Sequence, residues 1–135
     1  MSYLLDTNVV SELRKKKCDP RVTAWFDDVA PDEIFLSVLT IGELRKGVEL
    51  VRRRDKTAAQ ALDSWLQELT KLHSERILEV NRTVADLWGR FNAPDPLPIV
   101  DGFLAATATV HGLTLVTRNI RDVDRTGVSC LNPFL

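Results

Sequence analysis

The stretch YLLDTNVVSEL, residues 3–13, places a carboxylate directly after a short apolar segment. The apolar residues at 3–5 are typical of a buried strand. Thr7 or Asn8 is a suitable cap for the helix that should follow. Asp6 lies between this strand and this helix. It is therefore either an ordinary turn and cap residue, or a side chain held at the end of a strand to bind a ligand.

Four further strands are predicted along the chain, at about residues 34–38, 76–80, 113–117 and 127–132. Apolar residues at helical spacing fill the segments between them. The first helix should run to about Lys16, and Thr40 should begin another. Strands separated by helices favour a mostly parallel sheet covered on both faces. We therefore expect an α/β fold with three layers, α/β/α, around four to five strands, formed by residues 1–135 as a single domain.

The composition excludes several classes of protein. A formal net charge of −1 indicates no polyanionic partner by itself. The two cysteines, Cys18 and Cys130, lack the spacing of a metal site and are expected to be free thiols in a reducing compartment. No signal peptide is recognisable, and no stretch approaches the ~20 apolar residues of a membrane span. We expect a cytoplasmic protein without a membrane-spanning segment.

Two further acids lie in apolar surroundings. Glu43 is part of the stretch LTIGELRKGV, and Gly47 one turn later leaves room beside its carboxylate. Asp101 lies early in the helix predicted at 99–111, on a face with small residues. Taken singly, each has an ordinary explanation, because Glu43 can pair with Lys46 and Asp101 can complement the helix dipole.

A polar segment, TRNIRDVDRTG, follows the fourth predicted strand. It offers Asn119, Asp122 and Asp124 at the same edge of the sheet as Asp6. The alternative is a plain polar turn in which the acids pair with neighbouring arginines. Those arginines are Arg118, Arg121 and Arg125.

The joint placement of the acids is more informative than any one of them. Asp6 ends the first strand, Glu43 lies in the helix after the second, and Asp101 and Asp122 flank the fourth. Such positions converge at the carboxyl edge of a parallel sheet, where ligands bind. A cluster of unpaired carboxylates takes up protons or binds cations, and oxygen ligands alone suit Mg²⁺ or Mn²⁺. Such an ion activates water and stabilises charge on phosphate, so we expect a phosphodiester substrate.

The chain resembles the PIN-domain nucleases, and within them the VapC-type toxins of type II toxin–antitoxin pairs. The matching stretches are YLLDTNVVSEL, SVLTIGELRKGV, DPLPIVDGFLAATATVHGLTLVTRN and the tail GVSCLNPFL. The resemblance spans nearly the whole chain and depends on D-T-N, G-E-L, D-x-x-x-A and T-R-N in this order. It implies a PIN-like fold and a metal-dependent endoribonuclease that cuts RNA, often a structured RNA such as tRNA. It also implies a homodimer and a cognate antitoxin that commonly places an arginine among the acids.

The resemblance also implies roles for individual residues. Asp6, Glu43 and Asp101 fall on the catalytic and metal-binding acids of the family. Asn119 stands where many relatives have a fourth acid, so Asp122 is expected to replace that acid directly or through a water.

Several further residues are expected to support these acids. Thr7 and Asn8 should order Asp6 by hydrogen bonds, and Thr117 and Asn119 should support the site from the end of the fourth strand.

A basic run at 52–56 contains Arg52, Arg53 and Arg54. It can be a solvated helix end, since cations favour helix C-termini, or it can flank a groove for a polyanion. In the second case these arginines contact RNA or the antitoxin.

Three alternatives remain open from the sequence. A PIN nuclease that processes RNA or cuts DNA outside a toxin–antitoxin pair would carry the same acids. A phospho-receiver or phosphatase-like domain also has an aspartate after its first strand, but D-T-N lacks a second acid and no lysine follows the fourth strand. A non-catalytic binding module has no evident need for a costly carboxylate cluster.

Overall fold

The structure, a computed structural model, describes residues 1–135 and contains one five-stranded sheet. Its strands are β1 (Tyr3–Leu5), β2 (Ile34–Ser37), β3 (Ile77–Leu78), β4 (Thr114–Val116) and β5 (Cys130–Leu131). They lie in the order β3-β2-β1-β4-β5, and every neighbouring pair is parallel. The prediction of an α/β fold with a parallel central sheet is confirmed.

Six helices cover the sheet. They are α1 (Thr7–Arg14), α2 (Pro20–Asp27), α3 (Val38–Arg52), α4 (Lys56–Leu72), α5 (Arg82–Phe91) and α6 (Ile99–His111). Successive side chains of a strand face opposite sides, so Leu5 packs in the cluster formed with α1 to α4, and Leu4 packs in the cluster formed with α6. The helices therefore form one layer on each side of the sheet. None of them combines the length and the hydrophobicity needed to cross a bilayer.

Two helix boundaries differ from the prediction. Helix α3 begins at Val38 rather than Thr40, because the Ser37 hydroxyl caps it by accepting the Leu39 N–H at 3.1 Å. Helix α1 ends at Arg14 instead of continuing to Lys16. There the chain turns back, and the Glu12 carboxylate accepts the backbone N–H of Asp19 at 2.9 Å.

The strand order creates a crevice between β1 and β4. From β1 the chain proceeds to β2 and β3 on one side, and later places β4 on the other side of β1. In open parallel sheets, ligands bind at such a switch point, beyond the carboxyl ends of the strands. The backbone N–H of Asp6 donates to Val116 at 2.9 Å, which fixes the end of β1 beside the end of β4.

Candidate active site

Asp6 lies in the crevice at the end of β1. Its exposed fraction is 4 %, and the Thr117 hydroxyl donates to its Oδ2 at 2.7 Å. Although Asp6 occupies the cap position of α1, its side chain makes no capping hydrogen bond. The interpretation of Asp6 as a simple cap is therefore wrong, and its carboxylate is held between two strands instead.

Thr117 connects Asp6 to the loop after β4. Its hydroxyl oxygen also accepts the backbone N–H of Asn119 at 3.0 Å. Thr7 and Asn8, which are predicted to order Asp6 by hydrogen bonds, act on it only through their backbone amides, which lower its pKa, while the Thr7 hydroxyl bonds to Glu43. Asp6 is therefore oriented mainly by Thr117, whose position is set in turn by Asn119.

Glu43 is exposed on α3 and is oriented by a different threonine. The Thr7 hydroxyl donates to Glu43 Oε1 at 2.5 Å and lies 3.3 Å from the hydroxyl of Thr40. Glu43 forms no ion pair with Lys46, so the alternative of an ordinary surface pair is wrong. A methyl group added at Gly47 would meet no atom within 4 Å, so the space beside the carboxylate is open.

Asp101 lies in the first turn of α6 and is half-buried. Burial and the negative charges of Asp6, Asp122 and Glu43 raise its pKa from 3.8 to about 6, and a hydrogen bond with the Asp122 side chain contributes further. Asp122 is exposed, in a short 3₁₀ turn after β4. Three acids from distant parts of the chain, Asp6, Glu43 and Asp122, therefore all lie within electrostatic reach of Asp101.

The pKa of Asp6 is also raised. Burial is the main cause, and the charge of Glu43 adds to it. The hydrogen bond from Thr117 opposes the increase because it stabilises the charged form. A cluster in which two pKa values are raised favours the uptake of either protons or a cation.

The donor set fits a divalent cation with several water ligands. No group of three acidic, histidine or cysteine side chains is arranged closely enough to hold an ion by itself. Mg²⁺ is commonly bound by one or two carboxylates and keeps several waters. The carboxylate oxygens of Asp6 and Asp101 are donors of the type that Mg²⁺ prefers. The pKa of each is raised, first by burial and then by neighbouring negative charge.

The model of the family described as "PIN domain" matches residues 3–128. This chain belongs to the PIN domain family. The match includes the acids described above and the strands that position them.

Similar proteins cover nearly all of this PIN domain. Toxin FitB from Neisseria gonorrhoeae is 34 % identical over 137 residues, covering 97 % of each chain. A VapC ribonuclease, Y4jK, from Sinorhizobium fredii is 32 % identical over 135 residues, covering 97 % of this chain and 96 % of the relative. The crystal structure of FitAcB from Neisseria gonorrhoeae matches with a TM-score of 0.91 and 32 % identity, covering 98 % of both chains.

The basic run of the PIN domain divides into two parts. Arg52 donates to Glu49 at 3.0 Å and to Asp63 on α4 at 3.1 Å, while Arg45 also donates to Asp63 at 3.0 Å. Arg52 therefore links α3 to α4. Arg53 is exposed and forms no ion pair.

Asp63 was missed by the sequence reasoning. A usable signal was present, because Arg45 and Arg52 are seven residues apart and so share one face of α3. Two arginines on a helix face that packs against the next helix need an acid there.

The turn after β4 is not held by the predicted ion pairs. Arg118 and Arg121 form none, and Arg125 donates to the backbone carbonyl of Asp95. Instead, the guanidinium of Arg118 lies 3.6 Å from the centroid of the Phe134 ring. Sequence reasoning gave no indication of this contact with the end of the chain.

A groove extends from the acids between α1 and the α3–α4 hairpin. Near the acids it has a volume of about 200 Å³ and is bordered by Thr7 and Glu43. It continues, along Val51 and Trp65, into an open depression of about 510 Å³ whose lining includes Arg54, while Arg14 lines both parts. This α3–α4 groove therefore has the acid Glu43 in one part, Arg54 in the other, and Arg14 with several apolar side chains along both.

Proposed function

We propose that this PIN domain is the toxin of a type II toxin–antitoxin pair and a Mg²⁺- or Mn²⁺-dependent endoribonuclease. The observation that carries the proposal is the buried Asp6 carboxylate, bonded to Thr117 at the switch point of the sheet, together with the three other acids that share its electrostatic environment. The names of the relatives, toxin FitB and VapC ribonuclease, support both the toxin role and the substrate class.

In the proposed site, Asp6 and Asp101 bind the divalent ion, and Glu43 binds it directly or through a water. When bound, such an ion lowers the pKa of a coordinated water and stabilises the charge that develops on a phosphodiester. The substrate is RNA, and tRNA is the first class to test because the resemblance to VapC-type toxins implies it.

The remaining residues of the proposed site position these acids. Thr117 holds Oδ2 of Asp6 by its hydrogen bond and so fixes the orientation of the carboxylate. Thr7 orients Glu43 in the same way. Asn119 acts through its backbone N–H on Thr117, and Asp122 supplies the fourth carboxylate.

We infer that the α3–α4 groove receives the antitoxin in the cytoplasm. Its charge pattern suits an extended segment with a cationic residue near Glu43, apolar residues over Trp65 and acidic residues at Arg14 and Arg54. A guanidinium near the acids would replace the metal and stop cleavage. The solved FitAcB and VapBC neighbours support such an assembly, which we expect to include a toxin homodimer.

The direct test is cleavage of total cellular RNA by the purified chain, followed by mapping of the cut ends. Cleavage should require Mg²⁺ or Mn²⁺ and stop in excess chelator. Asp6→Asn should lose activity, while Glu75→Gln, an exposed acid before β3 at the opposite edge of the sheet, should retain it. Cleavage that persists in chelator, or in Asp6→Asn, would overturn the proposal.

A further inference from the structure

A second cavity adjoins the acids on the β4–β5 side. It has a volume of about 620 Å³, and its lining includes Arg118, Asn119, Arg121, Asp122 and Asn132. It shares Asp122 with the acid cluster and shares no residue with the α3–α4 groove. We refer to it as the Arg118–Arg121 cavity.

Arg118 is held in this cavity by an aromatic ring instead of an acid. Its guanidinium lies 3.6 Å from the centroid of Phe134, which is 5 % exposed. The backbone N–H of Phe134 donates to Asn132 Oδ1 at 2.9 Å, so the end of the chain that carries the ring is fixed. Contact with the face of an aromatic ring positions a guanidinium without using any of its N–H donors, which stay free to bind a ligand.

The acids near Arg118 already have other partners. Glu12 and Asp19 both lie within electrostatic reach of Arg118. Glu12, however, is bonded to Lys15 and to the backbone of Asp19, while the Asp19 carboxylate is paired with Arg21 at 2.8 Å. The guanidinium of Arg118 is therefore left without a carboxylate partner in the folded chain.

Arg121 is likewise unpaired. It is exposed, lines the same cavity and forms no ion pair, although it neighbours Asp122 in sequence. A cluster of carboxylates repels a polyanion, so a nuclease site of this kind needs positive charge beside it. Arg118 and Arg121 supply two such charges at the edge marked by Asp122.

We propose that the Arg118–Arg121 cavity binds the RNA backbone beside the bond to be cut, with each arginine donating to a phosphate. This inference depends on the proposed function and names the contacts that hold its substrate. RNA is favoured over an acidic protein segment because the cavity opens directly onto the acid cluster at Asp122, whereas a protein segment already has a separate path along the α3–α4 groove.

The test is equilibrium binding of a single-stranded RNA oligonucleotide in excess chelator, where the proposed metal-dependent cleavage cannot occur. Arg118→Gln and Arg121→Gln should each weaken binding about three- to tenfold and reduce the slope of log affinity against log salt concentration by ~0.7, the value for one phosphate contact on a single strand. Arg121→Gln carries little risk of misfolding because this exposed side chain makes no hydrogen bond or ion pair. The matched control is Lys71→Gln, an exposed cation near the end of α4 at the opposite edge of the sheet.

Three outcomes would overturn this inference. In the first, both arginine variants bind the oligonucleotide as the parent does, although the parent cleaves RNA, so that the proposed function stands and the cavity proposal fails. In the second, Lys71→Gln weakens binding as much as the arginine variants do. In the third, hexaglutamate binds as tightly as the oligonucleotide with the same dependence on both arginines, which would assign the cavity to an acidic protein segment. A parent that cleaves no RNA but binds the oligonucleotide through both arginines would overturn the proposed function alone.

Discussion

The hydroxyl of Thr117 donates a 2.7 Å hydrogen bond to Asp6, joining residues 111 positions apart in the chain. This bond forms because β1 and β4 are neighbours at the point where the strand order reverses. Burial alone would favour the protonated form of Asp6, and the hydroxyl opposes that effect by stabilising the carboxylate. The contact therefore favours the ionised form of a carboxyl group in a buried crevice.

Replacing Thr117 with valine should reduce RNA cleavage about 10- to 100-fold, the usual cost of losing a residue that orients a metal ligand. Valine keeps the shape of threonine but cannot donate to Asp6. The Mg²⁺ concentration needed for half-maximal activity should rise in parallel. Thr117→Ser, which retains the hydroxyl, should recover most of the activity, and an equally inactive serine variant would argue against the orienting role.

Asp101→Asn should stabilise the metal-free protein at neutral pH. The pKa of Asp101 in the folded chain is about 6, compared with its ordinary value of 3.8. Between these values the folded state binds more protons than the unfolded state, so this group lowers the free energy of unfolding as the pH rises. In chelator at pH 7.5, thermal unfolding should show a Tm for Asp101→Asn roughly 2–5 °C above the parent.

The same comparison at pH 4 provides the control for this effect. There Asp101 is protonated in the folded chain, so the two proteins should melt at nearly the same temperature. A Tm difference that does not change between pH 4 and pH 7.5 would show that the substitution acts through packing and not through charge repulsion.

The pKa of Asp63 is shifted in the opposite direction to that of Asp101, so replacing Asp63 should destabilise the protein. Hydrogen bonds from Arg45 first, and then from Gln67 and Arg52, lower its pKa to about 2. A folded pKa below the ordinary value contributes stability at neutral pH that is lost as the pH falls towards 2. Asp63→Asn should therefore lower the Tm at pH 7 by a few degrees, with a difference from the parent that shrinks in acid.

The basic run offers a matched pair of variants for separating structure from binding. Arg52→Gln should lower the Tm because it breaks the contact with Asp63. Arg53→Gln removes an equal charge from an exposed side chain and should leave the Tm unchanged. Equal melting temperatures for the two variants would show that the contact between Arg52 and Asp63 does not stabilise the fold.

Much of the fold could be predicted from local patterns. Leu4 and Leu5 alternate between the two core clusters as the period of a strand requires, and the helices lie where apolar residues recur at helical spacing. The start of α3 at Val38 was harder to predict. Ser37 can end a strand or cap a helix, and only its hydrogen bond to Leu39 decides between these roles.

The candidate site was predictable in its residue types but less so in its contacts. Acids placed after strands of a parallel sheet converge because the topology brings the carboxyl ends of the strands together. Which threonine hydroxyl orients which acid depends on side-chain distances between remote segments. The sequence therefore predicts Asp6 as the partner of Thr7, whereas the Thr7 hydroxyl bonds to Glu43. For the same reason, the contact between the Arg118 guanidinium and the Phe134 ring could not be predicted from the sequence.

The most direct measurement is calorimetric titration of Mn²⁺ into the purified chain and its variants. If Asp6 and Asp101 bind one cation together, the parent should bind Mn²⁺ and each of Asp6→Asn and Asp101→Asn should weaken binding at least about tenfold. Glu75→Gln should bind as the parent does. Unchanged Mn²⁺ affinity in both aspartate variants would show that these carboxylates do not form a common metal site.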